Sequence, residues 1–192
     1  AEASEGGAWV ALKGGEELAP GTVLRTANDS SVDLFMNHNG PLVRLAENTT
    51  LGLEKLNFED TGIDTVIETQ LDLKSGQIIG IVKKLSATSK YEIKTPNGVA
   101  GIRGTQYIIS ADGTVQVVEG QVVVVYVKPD GGVLTYVVNE GEQFSPATRE
   151  VQVMDAETMA AAKAEVAAVL GEEPGAVGVE PPPYLFVSPI AG

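Results

Sequence analysis

The sequence predicts an all-β fold, an antiparallel β-sandwich or solenoid-like β-domain, with one C-terminal α-helix and an extended tail. Short apolar segments separated by turn residues recur from Trp9 to about Val153, an alanine-rich segment follows them, and prolines crowd the end of the chain. The 192 residues therefore divide into an N-terminal segment with the first strand (1–20), a β-domain (21–153), a helix (155–170) and a proline-rich spacer with an apolar strand (171–192).

The β-domain begins as short strands that alternate apolar and polar residues. In residues 31–36, Val32, Leu34 and Met36 alternate with Ser31, Asp33 and Phe35. Period-two alternation is typical of a strand with one buried face. The asparagines and glycine of residues 37–40 predict a turn after it. The other strands predicted in this part of the chain are residues 9–12, 21–26, 42–45, 50–58 and 65–73.

Three junctions in the β-domain share one local pattern, a polar residue and a glycine followed by Gln or Glu, between apolar arms. Their glycines are Gly76, Gly120 and Gly141. Glycine at the turn and β-branched residues on both arms predict tight antiparallel hairpins. The uneven spacing of these junctions indicates recurrent hairpin chemistry and not duplicated units.

Residues 118–127, VEGQVVVVYV, form a nearly continuous apolar run. A run without alternation predicts a strand that is buried on both faces at the centre of the domain. An exposed strand of this composition would be prone to aggregation, which favours burial.

The chain changes character after Val153. Asp155 as N-cap, alanine-rich filling and Gly171 beyond the last turn predict one helix over about 156–170. The proline-rich spacer then leads to an apolar segment, which predicts a final strand. That strand would join its own domain or the next copy of the chain, where open head-to-tail donation gives a filament. The residues assigned to this assembly contact are Tyr184, Leu185, Phe186, Val187 and Ile190.

Composition limits the classes of function. A formal net charge of −13 speaks against a nucleic-acid partner. The absence of cysteine rules out thiol catalysis and disulfides, and no apolar run is long enough to predict a transmembrane segment. The small, polar opening AEASEGGAWV is typical of a chain after signal-peptide removal. We therefore expect an exported protein, extracellular or at the cell surface, with the periplasm as the alternative.

Candidate catalytic and metal-binding residues are few. His38 is the single histidine and lies in a predicted turn, so the usual zinc ligand sets are excluded. No Gly-x-Ser-x-Gly motif is present to expose a nucleophile. We predict neither enzymatic activity nor a cofactor. The sequence leaves calcium binding undecided. Acidic residues lie in or near turns, but they lack the spacing of a calcium-binding loop; they are Asp29, Asp33, Asp60, Asp64, Asp112 and Asp130.

The segment TPNGVAGIRGTQYII, residues 95–109, places Arg103 between Gly101 and Gly104. One interpretation is an anion site, where the glycines let a ligand approach the backbone and the guanidinium binds a carboxylate or phosphate. The interpretation we prefer is structural: the glycines permit a bend or bulge, and Arg103 is held by local partners. The residues assigned to this structural motif are Thr95, Pro96, Gly101, Arg103, Gly104 and Thr105.

An ordered series of motifs surrounds this segment. LKSG at 73–76 precedes YEIKTP at 91–96, AGIRGTQY at 100–107 and VQVVEG at 115–120, and EGEQF closes the series at 140–144. In this order, over about residues 21–144, the chain resembles the FecR domain family. The resemblance does not extend to the helix or the tail.

The resemblance implies an all-β, non-enzymatic extracytoplasmic domain. In the best-known members this domain is the periplasmic part of a membrane-spanning regulator that passes a signal from an outer-membrane transporter to a sigma factor. This sequence has no transmembrane helix and no sigma-binding segment, and other FecR-like proteins are secreted. Two hypotheses follow. The first is an exported structural protein that self-assembles, and the alternative is a periplasmic signalling or ligand-binding module of the FecR type. The sequence does not identify a small-molecule ligand for either.

Overall fold

The computed structural model describes residues 1–36, 42–60, 62 and 65–171, and the backbone of residues 187–189. Its described part consists of two β-sheets and one helix, which confirms the predicted all-β class. In chain order the strands are β1 (Glu2–Ser4), β2 (Val10–Ala11), β3 (Val23–Arg25), β4 (Val32–Leu34), β5 (Leu42–Leu45), β6 (Thr50–Asp60), β7 (Thr65–Ser75), β8 (Gln77–Ile81), β9 (Lys90–Thr95), β10 (Gly98–Ile102), β11 (Gln106–Ser110), β12 (Val115–Glu119), β13 (Gln121–Val127), β14 (Val133–Asn139), β15 (Glu142–Ser145), β16 (Glu150–Val153) and β17 (Val187–Pro189), with the helix α1 (Ala156–Leu170) before β17.

The two sheets have open edges and are built from hairpins that alternate between them. The first sheet has the strand order β14-β13-β10-β9-β7-β6-β3-β1-β2, and the second has the order β16-β15-β12-β11-β8-β5-β4-β17. The hairpins β6–β7, β9–β10 and β13–β14 lie in the first sheet, and β4–β5, β11–β12 and β15–β16 lie in the second. Neighbouring strands are antiparallel except β7 and β9, which are parallel.

The three glycine junctions are points at which the chain passes from one sheet to the other, so the prediction of hairpins there was wrong. Gly76, Gly120 and Gly141 each join two strands that belong to different sheets. Their φ angles are 78°, 87° and 79°. Gly104, at φ 80°, makes the same passage between β10 and β11. A left-handed glycine between apolar arms fits a corner as well as a hairpin turn, and the local sequence does not distinguish them.

The strand β13 is buried on one face only, which corrects the prediction that residues 118–127 are buried on both. Val122, Val124 and Tyr126 face the core, whereas Val123 and Val127 are 38% and 45% exposed. The cause is position: β13 lies second from the edge of the first sheet. Within the described part of the chain, no second layer covers its outer side.

The main core lies between the two sheets and contains two buried tyrosines. Tyr107 donates a hydrogen bond of 3.5 Å to the Tyr91 hydroxyl, and the Tyr91 hydroxyl lies 3.8 Å from Sδ of Met36. Burial raises the pKa of both hydroxyls well above the usual value for tyrosine. Phe144 closes the core towards the β14 side, with its ring centroid 4.6 Å from that of Tyr136.

The helix α1 covers the outer face of the second sheet, and the bounds predicted for it are confirmed. The Asp155 carboxylate accepts a hydrogen bond of 2.7 Å from the Thr158 N–H, and Gly171 ends the helix at φ 67°. The apolar side of α1 packs on residues of the second sheet, and together they form a smaller core made of Ala162, Val166, Val169, Leu42, Ile79, Ile108 and Val118.

The helix also explains why β4 is buried on both faces although its sequence alternates. Asp33, on the outer face, is 7% exposed. Its carboxylate accepts hydrogen bonds of 2.6 and 2.8 Å from Nε and Nη2 of Arg44. Nη1 of Arg44 donates to the Ala168 carbonyl oxygen at 3.1 Å, near the end of α1. The Asp33–Arg44 pair therefore satisfies a polar residue that the helix layer encloses.

The tail strand β17 pairs with β4 of its own chain. Val187 lies opposite Leu34, and Pro189 lies opposite Val32. The sequence had left open whether this strand joins its own domain or the next copy, and in this structure it joins its own. The predicted filament therefore has no support from the structure.

Candidate protein interaction face

The motif of residues 95–109 forms the hairpin β9–β10 and the passage to β11. Thr95 and Pro96 lie at the turn of this hairpin. Nδ2 of Asn97 donates a hydrogen bond of 2.7 Å to the carbonyl oxygen of Asp112, and the Asn97 carbonyl oxygen accepts one of 2.9 Å from the Val127 N–H. The turn thereby connects the first sheet to the β11–β12 turn of the second.

One half of the motif builds the corner between the sheets. A Cβ on Gly104 would lie 2.8 Å from Cα of Lys84, so the close approach of two backbones requires glycine at this left-handed position. Thr105 is 1% exposed, and its hydroxyl donates a hydrogen bond of 2.8 Å to the Gln121 carbonyl oxygen. The Thr105 backbone also exchanges two hydrogen bonds with Val82, at 2.9 and 3.0 Å.

The other half of the motif faces outwards. A Cβ on Gly101 would meet only the Val123 carbonyl oxygen, at 3.7 Å, and Gly101 has no left-handed φ. The backbone therefore does not require glycine at this position. Arg103 is exposed and makes no hydrogen bond or ion pair with any residue that the structure describes. No described residue supplies the local partner expected for Arg103.

An apolar surface lies beside Gly101, on the outer side of β10, β13 and β14. Strand register places Val123 between Gly101 and Val137, and Val127 beside Val133. The exposed fractions of Val127, Val133 and Val137 are 45%, 59% and 46%. We call this surface the valine face, and its members are Val99, Val123, Val125, Val127, Val133 and Val137. A contiguous apolar patch on a protein surface is a common mark of an interaction site.

The valine face ends at an open sheet edge, β14. This strand has seven residues and no charged side chain or proline. The other edges are short: β2 has two residues, β17 has three and ends at Pro189, and β16 has four and begins with Glu150. Short strands, charges and prolines are the usual protections against pairing with another chain. Of these four edges, β14 is the one without them.

A group of cations lies at the corner next to the valine face. We call Lys83, Lys84 and Arg103 the basic corner; all three are exposed and none forms an ion pair with a described residue. Six other cations are paired with carboxylates, namely Arg25, Arg44, Lys55, Lys74, Lys94 and Lys128. Four more form no ion pair with a described residue but lie apart in the sequence, namely Lys13, Lys90, Arg149 and Lys163. The corner is therefore a local positive site on a chain of net charge −13, and it would favour an acidic group on a partner.

Space for a small ligand behind the motif is minimal. The internal space lined by Thr95, Gly98 and Ala100 is about 10 Å³, which is about the size of one water molecule. A surface recess of about 470 Å³ lies beside α1, and its polar lining consists of Gln106, Glu119, Glu140 and Lys163. No hydroxyl or imidazole of the described residues lines that recess.

Three of the aspartates that left calcium open accept hydrogen bonds within their own turns. Carboxylate oxygens of Asp60, Asp112 and Asp130 accept hydrogen bonds of 2.8 Å from backbone N–H groups two residues ahead. The bond from the Gly132 N–H, followed by the one from Lys128, lowers the pKa of the Asp130 carboxyl below its usual value. Among the described residues, no three acids or histidines are grouped as metal ligands would be.

Several predicted residues lie outside the described residues. They are His38, Asp64, Tyr184, Leu185, Phe186 and Ile190. The remaining assembly residue, Val187, lies in β17, and only its backbone is described. No described helix is long and apolar enough to cross a membrane.

Comparison with known proteins gives the family. Residues 22–123 match the FecR family, described as FecR protein, over more than half of the chain. The chain belongs to the FecR family. The matched region begins within the loop before β3 and ends in β13, so it includes the motif, the corner glycines Gly76, Gly104 and Gly120, and part of the valine face.

One solved structure shares the fold of this chain. A crystal structure of a candidate anti-sigma factor from Parabacteroides distasonis is 14% identical, covers 72% of this chain and aligns with a TM-score of 0.54. A second crystal structure, also of a candidate anti-sigma factor from that organism, is 15% identical, covers 79% of this chain and has a TM-score of 0.47. The chain spans 63% and 62% of the length of these two structures. No curated protein matches the sequence.

The valine face was missed in the sequence because residues 118–127, which contain its central strand, were predicted to be buried on both faces. A signal was available: Lys128 to Gly132 separate two valine-rich strands and form a tight turn, with Lys128 N–H donating to the Gly132 carbonyl oxygen at 2.7 Å. A hairpin near the end of the β-domain supplies an edge strand. The lack of charge on 133–139 then distinguishes that edge from an ordinary one.

Proposed function

We propose that this FecR-family domain is a periplasmic signalling module that acts by binding a protein partner through its valine face. The observation that carries the proposal is the exposure of apolar side chains on β13 and β14, in a chain whose opposite outer face is covered by α1. Burying each valine would stabilise a complex by up to about 1.5 kcal/mol before the costs of association.

Two further observations support a protein partner over a small molecule. The valine face is an open surface, and the space behind the motif, about 10 Å³, is far smaller than a usual ligand pocket of about 300–1,000 Å³. The recess of about 470 Å³ lies beside α1 on the second sheet, and not on the valine face. The proteins whose fold this chain shares are named as candidate anti-sigma factors, and such factors act on another protein.

Chromosomal variants of the full-length protein test the proposal in the bacterium that encodes it. Val123→Glu and Val137→Glu place a charge on the valine face without changing the core, so the protein should accumulate normally. We expect both variants to change the same set of transcripts as deletion of the gene. The control is Val10→Glu, at a position that is 63% exposed and lies in β2, at the opposite edge of the first sheet. Wild-type transcript levels in both face variants would overturn the proposal.

A further inference from the structure

We infer that β14 receives an extended strand of the partner, which pairs with it and continues the first sheet. The inference rests on the proposed function and adds the mode of binding and the kind of partner segment. An added strand gains main-chain hydrogen bonds along its length and places every second side chain on the valine face.

The hydrogen-bond pattern identifies the unpaired groups of β14. Because the Lys128 N–H bonds to the carbonyl oxygen of Gly132 directly opposite, these two residues form a hydrogen-bonded pair. Hydrogen-bonded and non-hydrogen-bonded pairs alternate along an antiparallel ladder. Leu134, Tyr136 and Val138 therefore bond to β13. The N–H and C=O groups of Val133, Thr135 and Val137 point away from it. The Val127 N–H, which bonds to Asn97 on the other side of β13, agrees with this register.

Asn139 follows in the same register, and its backbone N–H also points away from β13. The N–H of Asn139 donates a hydrogen bond of 2.8 Å to a carboxylate oxygen of Glu142. The free edge is thus capped at its end and open along the three preceding positions, within the part of the chain that the structure describes. A segment of about five residues would satisfy the open groups.

Side chains on both faces of β14 favour an alternating apolar segment. Val133 and Val137 lie on the valine face, and Leu134, on the inner side, is still 36% exposed. Val153 of β16, at the same end of the sandwich, is 77% exposed. Side chains alternate along an added strand, so every second one would cover Val133 and Val137 and the ones between would cover Leu134.

The size of the surface selects a strand and not a second copy of the chain. The exposed valine and leucine surface is on the order of a few hundred Å², and stable dimers bury roughly 800 Å² on each partner. The chain's own strand β17 lies on β4, at the opposite end of its sheet. A short segment from another protein fits an edge of this length.

Hydrogen exchange of the full chain, measured by NMR, tests the inference with a synthetic probe. The probe is a nine-residue peptide of alternating valine and threonine with a lysine at each end, and the matched control peptide carries proline at two inner positions. We expect the probe to slow exchange of the Val133, Thr135 and Val137 amides by about tenfold or more. The amides of Leu134, Tyr136 and Val138 should be protected before it is added.

Variants of Thr135 make the test specific for strand pairing. Thr135→Pro removes an N–H that β13 does not use, so the fold should persist and the protection by the probe should disappear. Thr135→Ser keeps that N–H and should bind the probe as the wild type does. Probe binding that survives Thr135→Pro, or no protection of the three amides, would overturn strand addition while leaving the transcript test of the proposed function unaffected.

Hydrogen exchange of the chain without the probe examines the two other possible occupants of the β14 edge, which are a second copy of the chain and the chain's own tail. Protection of the three amides that rises with protein concentration would identify a second copy and overturn the inference. Protection that is present at every concentration would identify the chain's own tail and overturn it as well. We expect fast exchange at all three positions in the free chain.

Discussion

The backbone of Gly104 packs directly against Gly120, so closely that a methyl group on Gly120 would overlap the Gly104 carbonyl oxygen. These two glycines are corners at which the chain leaves one sheet for the other, in opposite directions. Both have left-handed φ angles, 80° and 87°. The contact explains why the motif and the glycine of the VVEG segment occur together: the missing side chain of Gly120 leaves room for the Gly104 backbone.

Gly104→Ala should destabilise the protein by about 2–4 kcal/mol, because it adds left-handed strain and a clash with the Lys84 backbone. Urea unfolding followed by circular dichroism measures the change. Gly101→Ala is the matched control, since its Cβ would meet only one atom, at 3.7 Å. We expect that control to stay within about 0.5 kcal/mol of the wild type. Equal losses of stability in the Gly104 and Gly101 variants would contradict the assignment of Gly104 to the corner and of Gly101 to the outer face.

Thr105→Val should lower the free energy of unfolding by about 1–3 kcal/mol. The substitution keeps the shape of the side chain but removes the hydroxyl that donates to the Gln121 carbonyl oxygen at 2.8 Å. That carbonyl would remain at the corner without its partner. Thr105→Ser, which retains the hydroxyl, should recover most of the loss. A valine variant as stable as the wild type would show that the hydrogen bond is not needed.

Arg44→Met should cost about 3 kcal/mol, because it leaves the enclosed Asp33 carboxylate without its cation. The side chains of Arg44 and Asp33 are 15% and 10% exposed. Loss of the Arg44 bond to the Ala168 carbonyl oxygen should also speed amide exchange in the last turn of α1. Lys55→Met removes an exposed pair with Glu68 and should change neither quantity measurably. Unchanged exchange in α1 of the Arg44 variant would show that this bond does not hold the helix end.

Stability should fall as the pH rises above about 10, where tyrosines of the unfolded chain ionise. Burial raises the pKa of Tyr91 and Tyr107 in the folded state, so the folded chain binds more protons than the unfolded chain in this range. Unfolding therefore becomes more favourable with each step up in pH. The double variant Y91F/Y107F should lose less stability between about pH 8 and 11. A loss equal to that of the wild type would assign the effect to other groups.

The local chemistry of the sequence predicted those features that depend on neighbouring residues. Asp155 and Gly171 defined the helix because capping is a contact within one turn. The alternation of 31–36 located β4, although it did not show that the Asp33 side would be covered by α1. That covering is a contact between residues far apart in the chain, and the alternation carries no information about it.

The other predictions that the structure corrects also depended on contacts between residues far apart in the chain. Gly76, Gly120 and Gly141 require a turn in the backbone, but their neighbours do not determine which sheet receives the next strand. The apolar run at 118–127 indicates a strand, but its place next to an edge strand depends on the β13–β14 hairpin that follows. Arg103 was expected to be tied locally because it lies between glycines. The structure is needed to show that Gly101 and Arg103 lie on the outer side and that Gly104 forms the corner.

Site-specific photo-cross-linking in living cells tests the central claim most directly, namely that the valine face is covered by a different protein. A photoreactive residue is placed in the full-length protein at Val123 or Val137, and at Val10, which is 63% exposed at the opposite edge. We expect one discrete adduct from Val123 and Val137, containing a second polypeptide, and none from Val10. No adduct at the two face positions, equal adducts at all three, or an adduct made of two copies of this chain would contradict it.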